Sequence, residues 1–500
     1  MAASSDARFT AELDAWIVAH RDEIVAAVQE LCRIRSVQED PAPGQPFGPG
    51  VAAALDWVRR RAEAFGFRTR DIDGYAVDAE IGEGNEWVAV LAHVDVVPEG
   101  TGWTHPPFGA EIHDGKIYAR GAVDDKGPAV AALYAMKAVA DLALARGERP
   151  DRRARLIVGG NEESGFECVK YYFARNPQPV LGFSPDAMFP LVNAEKGIWT
   201  FRLTCEVPEE GEPPGKGTGW GPGAAEIPAA PVGLLRLEGG DRVNVVPDRA
   251  LAELELTGWP AAAREELARR LTDGGGPGRA RLSARLEGER LAVEARGAAA
   301  HAMHPEKGIN AVTGLLAALC DALGERLPAY RALRFLAEAG GRTDGSGFGI
   351  ATADEISGPL TLNLGVLRLE GRTLIADCNV RYPVTASTRR LADAVVAALV
   401  DTGWRFESRE DMPPHRVPDG SEVVQKLLAV YREETGDGDA RPLAIGGGTY
   451  ARVLENGVAF GPLFPGQREV AHEPDEFWAI DDLLRCTRIY ARAIYRLMWK

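Results

Sequence analysis

Cysteine is scarce and never closely paired. The six thiols, Cys32, Cys168, Cys205, Cys320, Cys378 and Cys486, are scattered along 500 residues with no CxxC pair. That excludes a disulfide framework and fits reduced, buried thiols in a cytoplasmic protein. No block of Lys or Arg offsets the formal net charge of −16, which argues against a nucleic-acid partner. No apolar run reaches the roughly 18 residues a membrane span needs, so no membrane association is expected. The opening MAASSDARFTAELDAW has no basic region ahead of an apolar one, so no secretory signal is expected. No internal repeat is visible. What remains is globular: 45% hydrophobic and 26% charged residues, in a chain long enough for two or more domains.

The stretch from Leu91 to Gly127 organises the rest. The run Trp87-Val-Ala-Val-Leu-Ala is short, apolar and Val-rich, so it predicts a buried strand. It ends in His93-Val-Asp95. An imidazole with a carboxylate two residues on suits a metal ligand and its orienting partner. In isolation such a triplet is more often a strand end with solvated acids. Asp124-Asp125 follows, then Lys126-Gly-Pro opens an Ala-rich helix. Arg155-Leu-Ile-Val-Gly predicts another strand, ending in Asn161-Glu-Glu-Ser-Gly165. Phe183-Ser-Pro-Asp186 comes next.

Strand, loop acid, helix, strand, loop acid is an α/β pattern: a mostly parallel sheet with helices on both faces. Every candidate acid falls at the carboxyl end of a strand, where such sheets bind ligands. Residues 1–196 and 415–500 are expected to form this domain. Residues 197–414 read as an inserted α+β domain, with a strand at Arg281–Ala295 and a hairpin turning near Glu370-Gly371. Within it, the Pro/Gly-rich segment Glu209–Pro231 reads as a surface loop without an assignable role.

His93, Asp124, Glu163, Asp186 and His472, with Glu162 beside them, form one candidate constellation. Two imidazoles and three carboxylates suit two divalent ions sharing a bridging carboxylate. Two such ions, ~3.5–4 Å apart, activate a water between them. Adjacent glutamates do not both ligate comfortably from one turn, so one ligand and one general base is the natural division.

In this order and spacing, HVDVVP, YARGAVDDKGP, GGNEESG, SPDA and VAHEPDE resemble the M20 family of metallopeptidases. RVNVVPD, AAAHAMHPEKGINA, NVRYPV, IGGGTYAR and AFGPLFPG resemble its PepV-type dipeptidases. The resemblance covers nearly the whole chain and implies these roles. Asp124 bridges two metals, His93 and Asp186 hold one, and Glu163 and His472 hold the other. Glu162 is the general base and Asp95 orients His93. The inserted domain is a lid, from which His301 stabilises an oxyanion. Asn244 and Arg381 bind the substrate's carboxyl end, and Gly446, Gly447, Gly448 and Thr449 line it. The cofactors would be two divalent ions, zinc by ligand set, with manganese and cobalt also suited. The substrate would be a small L-dipeptide with free termini, and the protein a monomer.

Two other functions share these features: a deacylase or carboxypeptidase of the same fold, and a non-catalytic binding protein. Five of the eight histidines fall outside the metal and base positions and His301: His20 is expected on a solvated helix face, His105 and His113 in turns near the site, and His415 in a structural position, while the resemblance places the function on His301 and not on His304 three residues on. The triple glycine lacks the Lys-Ser/Thr of a phosphate loop, which favours backbone contacts to substrate.

Overall fold

A computed structural model of the chain describes residues 2–208, 230, 232–273 and 279–500. The segment Glu209–Pro231, save residue 230, lies outside the described residues. The chain divides into two compact units, one made of Met1–Ala194 with Arg416–Lys500, the other of Glu195–His415.

In the first unit the Val-rich run forms the strand Glu86–His93, buried along nearly its whole length. Its neighbour Arg152–Gly159 is almost as buried. Strands hidden on both faces need cover on both sides, which is why they are apolar throughout rather than alternating. The sheet runs in the order Arg68–Ile72, Ala76–Ile81, Arg152–Gly159, Glu86–His93, Leu181–Ser184, Gly457–Ala459, Val192–Glu195. The four central strands, Arg152–Gly159 to Gly457–Ala459, are parallel; the flanking pairings are antiparallel.

The helix Lys126–Leu142 packs between the closing helix Ile480–Met498 and the first helix, Ala2–Cys32. Continued through the turn to Arg146, it is long and apolar enough to cross a membrane by length and composition, contrary to the expectation from single runs. Its unbroken buried stretch from Lys126 to Met136 explains that composition: it is the apolar centre of the unit. All six cysteines are free and buried. Burial pushes the thiols of Cys32 and Cys320 up to about 12, so they are poor nucleophiles at neutral pH. His20, expected to be solvated, stacks on Trp16 with ring centroids 3.9 Å apart.

Arg152 ties the sheet to the helix Glu422–Thr435. Its Nη1 and Nη2 donate to the two Glu422 oxygens at 2.7 and 3.1 Å. This bidentate bond, then Lys426, holds the Glu422 carboxyl down to about 2. Because the folded value lies below the unfolded one, the stabilisation is complete above about pH 4.5 and fades as pH falls toward 2. Glu422 is 38% exposed, so screening limits the contribution to about 1 kcal/mol or less. Glu422→Gln is therefore expected to lower the urea midpoint at pH 6 and to lower it much less at pH 2.5. An equal loss at both pH values would remove the ion pair as the cause.

The second unit is an antiparallel sheet. Its order is Arg281–Glu287, Arg290–Arg296, Arg249–Glu255, Gly233–Gly239, Thr361–Glu370, Thr373–Tyr382, Gly197–Glu206, Arg405–Met412. Burial alternates along Gly197–Glu206, with Trp199, Phe201 and Leu203 in the core. That is the signature of a sheet covered on one face, here with the helices Ala261–Asp273, Ala311–Leu323 and Tyr330–Gly340 packed on it. Asn310 caps the second helix, accepting from Thr313 N at 3.1 Å. The single strand expected at Arg281–Ala295 is a hairpin. Gly288 takes φ +63° at its turn, and the apolar alternation changes phase there, from Leu282, Ala284 and Leu286 to Leu291, Val293 and Ala295.

Candidate metal centre

Three neighbouring parallel strands aim their carboxyl ends at one place. Glu86–His93 ends in His93, Arg152–Gly159 leads into Glu162 and Glu163, and Leu181–Ser184 leads into Asp186. Asp124 comes from the turn before the Lys126 helix. The Asp124–Asp125 peptide is cis.

Asp124 stands in the middle. Its Oδ1 lies 3.1 Å from His93 Nε2, which is 3.7 Å from Asp186 Oδ2. Its Oδ2 lies 2.9 Å from His472 Nε2, which is also 2.9 Å from Glu163 Oε1. The five residues thus form two trios, His93–Asp124–Asp186 and Asp124–Glu163–His472, sharing one carboxylate. Each trio is compact enough to hold one ion.

A test of fit rests on His93. Its Nδ1 meets the Asp95 carbonyl at 2.9 Å. With Nδ1 donating there, Nε2 carries the lone pair. That nitrogen is buried and has no hydrogen-bond partner among the described residues. A buried acceptor aimed between two carboxylates suits a cation better than any protein group nearby. The electrostatics agree. Burial, then the charge of Asp186, pushes Glu162 and Asp125 well above the ordinary carboxylate range. Burial, then Asp124, does the same to Asp186 and raises Glu163. For Asp124 burial acts upward too, but the neighbouring imidazoles of His472 and His93 outweigh it and hold the group low. Burial opposes the His472 cation, yet Asp124 and Glu163 lift it to about 11. So many acids in one pocket call for positive charge.

Asp95 does more than meet His93. Its carboxylate lies 3.4 Å from His93 Nδ1 and accepts from the backbone N–H groups of Glu162 and Glu163, each at 3.0 Å. It thereby aims the turn that carries both glutamates.

Sequence reasoning gave no role to Arg120 and Glu476. Glu476 Oε1 accepts from Val123 N at 3.0 Å and Asp124 N at 3.3 Å, and Oε2 from Arg120 Nη1 at 2.7 Å. Arg120 Nη2 also donates to the His472 carbonyl at 3.3 Å. Both side chains are buried, and the pair ties the Asp124 turn to the His472 loop. Burial, then the charge of Asp124, pushes Glu476 up to about 7 against Arg120. His472 has φ 65°, a left-handed conformation that a non-glycine residue keeps only when its surroundings hold it.

Thr449 caps the short turn after the triple glycine, accepting from Ala451 N at 3.1 Å. Tyr450 beside it places its ring edge-on to His93, centroids 6.0 Å apart. Gly446, Gly447 and Gly448 thus lie in the segment next to the His93 strand.

In the second unit, Asn244 and His301 come together. Val245 bridges His301, and Ala302 N donates to the Asn244 carbonyl at 2.9 Å. His301 Nδ1 accepts from Met303 N at 3.1 Å. Asn363 locks this corner by donating to the carbonyls of Val243 and Val245. Arg381 is buried on the strand Thr373–Tyr382 opposite Thr361, its Nε donating to Asn379 Oδ1 at 2.8 Å.

The sequence model described as "Peptidase family M20/M25/M40" matches residues 89–496. The chain is similar to "Putative dipeptidase YtjP" of Bacillus subtilis (strain 168), at 41% identity over 488 residues, covering 96% of this chain and 98% of that protein. The fold of this chain is similar to that of human carnosine dipeptidase 1, at a TM-score of 0.54 and 15% identity, covering 98% of each chain. The M20 family metallo-carboxypeptidase Sso-CP2 from Sulfolobus solfataricus is similar at a TM-score of 0.54 and 17% identity, covering 95% of this chain and 99% of its own.

Proposed function

The chain belongs to peptidase family M20/M25/M40, and we propose that within it this protein is a metal-dependent dipeptidase acting on small L-dipeptides with free termini. The observation that carries the reading is Asp124, whose two oxygens each serve a separate trio of ligating side chains. Two divalent ions, zinc by ligand set with manganese or cobalt also suited, would supply Lewis-acid activation of a water molecule there. His93 and Asp186 would hold one, Glu163 and His472 the other, with Asp124 between them. Glu162 takes the proton of the attacking water and delivers it to the leaving nitrogen. Burial, then the charge of Asp186, raises its carboxyl, the direction that favours proton uptake from the water.

We assign residues 195–415 the part of a lid. His301 donates to the oxyanion that forms on the substrate carbonyl, and Asn244 and Arg381 take the carboxyl end. Gly446 to Thr449 would offer backbone groups to the same end. Support for these roles comes from the motifs that carry them. A lid that must enclose its substrate also gives a physical reason for preferring dipeptides. The six free buried thiols support a reducing, cytoplasmic setting. A monomer is expected, and sedimentation showing a tight dimer would overturn it.

Arg381→Ala is expected to raise KM about 10- to 100-fold for dipeptides with a free carboxylate, since a charge-assisted contact contributes about 1.5–3 kcal/mol. It should change KM little for carboxyl-amidated analogues, which an equal effect on both would contradict. The deciding experiment is a dipeptide panel, each member free and N-acetylated, offered to chelator-stripped protein with zinc or manganese restored. Metal-dependent cleavage of the free-amine members alone supports the dipeptidase. Cleavage of the acetylated members alone moves the function to deacylation. No cleavage under either metal leaves a binding protein.

A further inference from the structure

We propose that His105, Glu111 and His113 form a separate binding site for one divalent transition-metal ion of the zinc type. The three residues share nothing with the centre described above. One ligand atom from each lies within 4.8 Å of the others. Glu111 Oε2 is 3.1 Å from His113 Nε2 and 3.7 Å from His105 Nδ1. Two imidazoles, which are borderline donors, beside one hard carboxylate suit zinc, nickel or copper better than magnesium or calcium.

The scaffold sets these groups in place. Glu111–His113 is a strand paired with Lys116–Tyr118, so Glu111 and His113, two residues apart, share a face. Lys116–Tyr118 pairs in turn with Phe477–Ala479. His105 arrives from the preceding turn with its ring over Tyr118, centroids 4.2 Å apart, and 4.6 Å from the His113 ring. Its backbone N–H donates to Asp475 Oδ1 at 3.0 Å, and Thr104 donates to the same carboxylate through N and Oγ1. Asp475 lies three residues past His472. An ion on His105 would therefore brace the loop that carries His472.

The side chains are 26%, 45% and 48% exposed for His105, Glu111 and His113. An open site with three protein ligands and exchangeable positions binds more weakly than a closed four-ligand one. The ion should enter only after tighter sites are filled, and chelators should remove it first.

The test equilibrates holoprotein with rising free Zn2+ and counts bound zinc per chain, for wild type and for the double variant H105A/H113A. Wild type is expected to take up one equivalent more than the variant at saturation. Glu111→Gln, which keeps both imidazoles, should shift that uptake to higher free Zn2+. Added Zn2+ should raise the Tm of wild-type holoprotein and leave that of the double variant where it was. Dipeptide turnover at stoichiometric metal should be equal in wild type and variant, which shows that the variant is folded. Equal zinc uptake by wild type and double variant overturns the site. Because the readout is the difference between two chains, it holds whatever the primary centre proves to bind.

Discussion

Glu162→Ala is expected to keep its full complement of metal and lose kcat by about 10²- to 10⁴-fold, the usual worth of a positioned general base. That is about 2.7–5.4 kcal/mol of transition-state stabilisation. The separation of effects follows from the geometry. The two trios are complete without Glu162, so deleting its carboxylate leaves every proposed ligand in place. The turn itself is held from the backbone, by the Asp95 carboxylate on the N–H groups of Glu162 and Glu163, so the substitution should not move Glu163. KM should change little, because a base acts on the water and not on the dipeptide's ends. Metal analysis of the purified variant together with steady-state kinetics reads both quantities. Normal kcat would remove Glu162 as the base. Loss of metal in parallel with kcat would make it a ligand instead.

Much of this centre was legible in the chain because each of its residues ends a short, recognisable local pattern. His93 closes an apolar strand, Asp186 follows another, and Glu163 sits in a Gly-bounded turn after a third. Local pattern says where a strand stops, and α/β topology says that neighbouring stops converge. What holds the residues apart from or against each other was not legible. Arg120 and Glu476 are 356 positions apart, and nothing near either one announces a buried pair. Asn363 closes the corner beside Asn244 and His301 from a strand about 120 residues away, reading in sequence as one more polar residue on a hairpin. The hairpin at Gly288 did leave a trace: the apolar positions change phase, from Leu282, Ala284 and Leu286 to Leu291, Val293 and Ala295, across Glu287-Gly-Glu-Arg290. His105 and His113 read as turn residues until the pairing of Glu111–His113 with Lys116–Tyr118 put His113 on one face with Glu111, a residue given no reading in the sequence.

Asp124 carries the other large effect, and here metal and activity should fall together. Each proposed ion has three protein ligands, and Asp124 is the one both share. Asp124→Ala leaves two side chains per ion, His93 with Asp186 and Glu163 with His472, too few to compete with a chelating buffer. The variant is expected to hold fewer than one tightly bound ion per chain and to show no measurable turnover at stoichiometric metal. Asp124→Asn separates shape from charge. Its amide keeps one acceptor oxygen and replaces the other with a donor, so it can serve one trio at most, and about one ion per chain should remain. The turn should survive both changes, since Glu476 holds it through the Val123 and Asp124 N–H groups and not through the Asp124 side chain. Circular dichroism and Tm check that the chain stays folded, and mass-spectrometric metal counting after gel filtration gives the stoichiometry. An Asp124→Ala chain that retains two ions at wild-type affinity would show that this carboxylate bridges nothing. One that retains a single ion while Asp124→Asn retains two would assign it to one trio only. In either case two ions would stand as separate sites, each held by its own side chains, and the shared carboxylate would be lost from the reading.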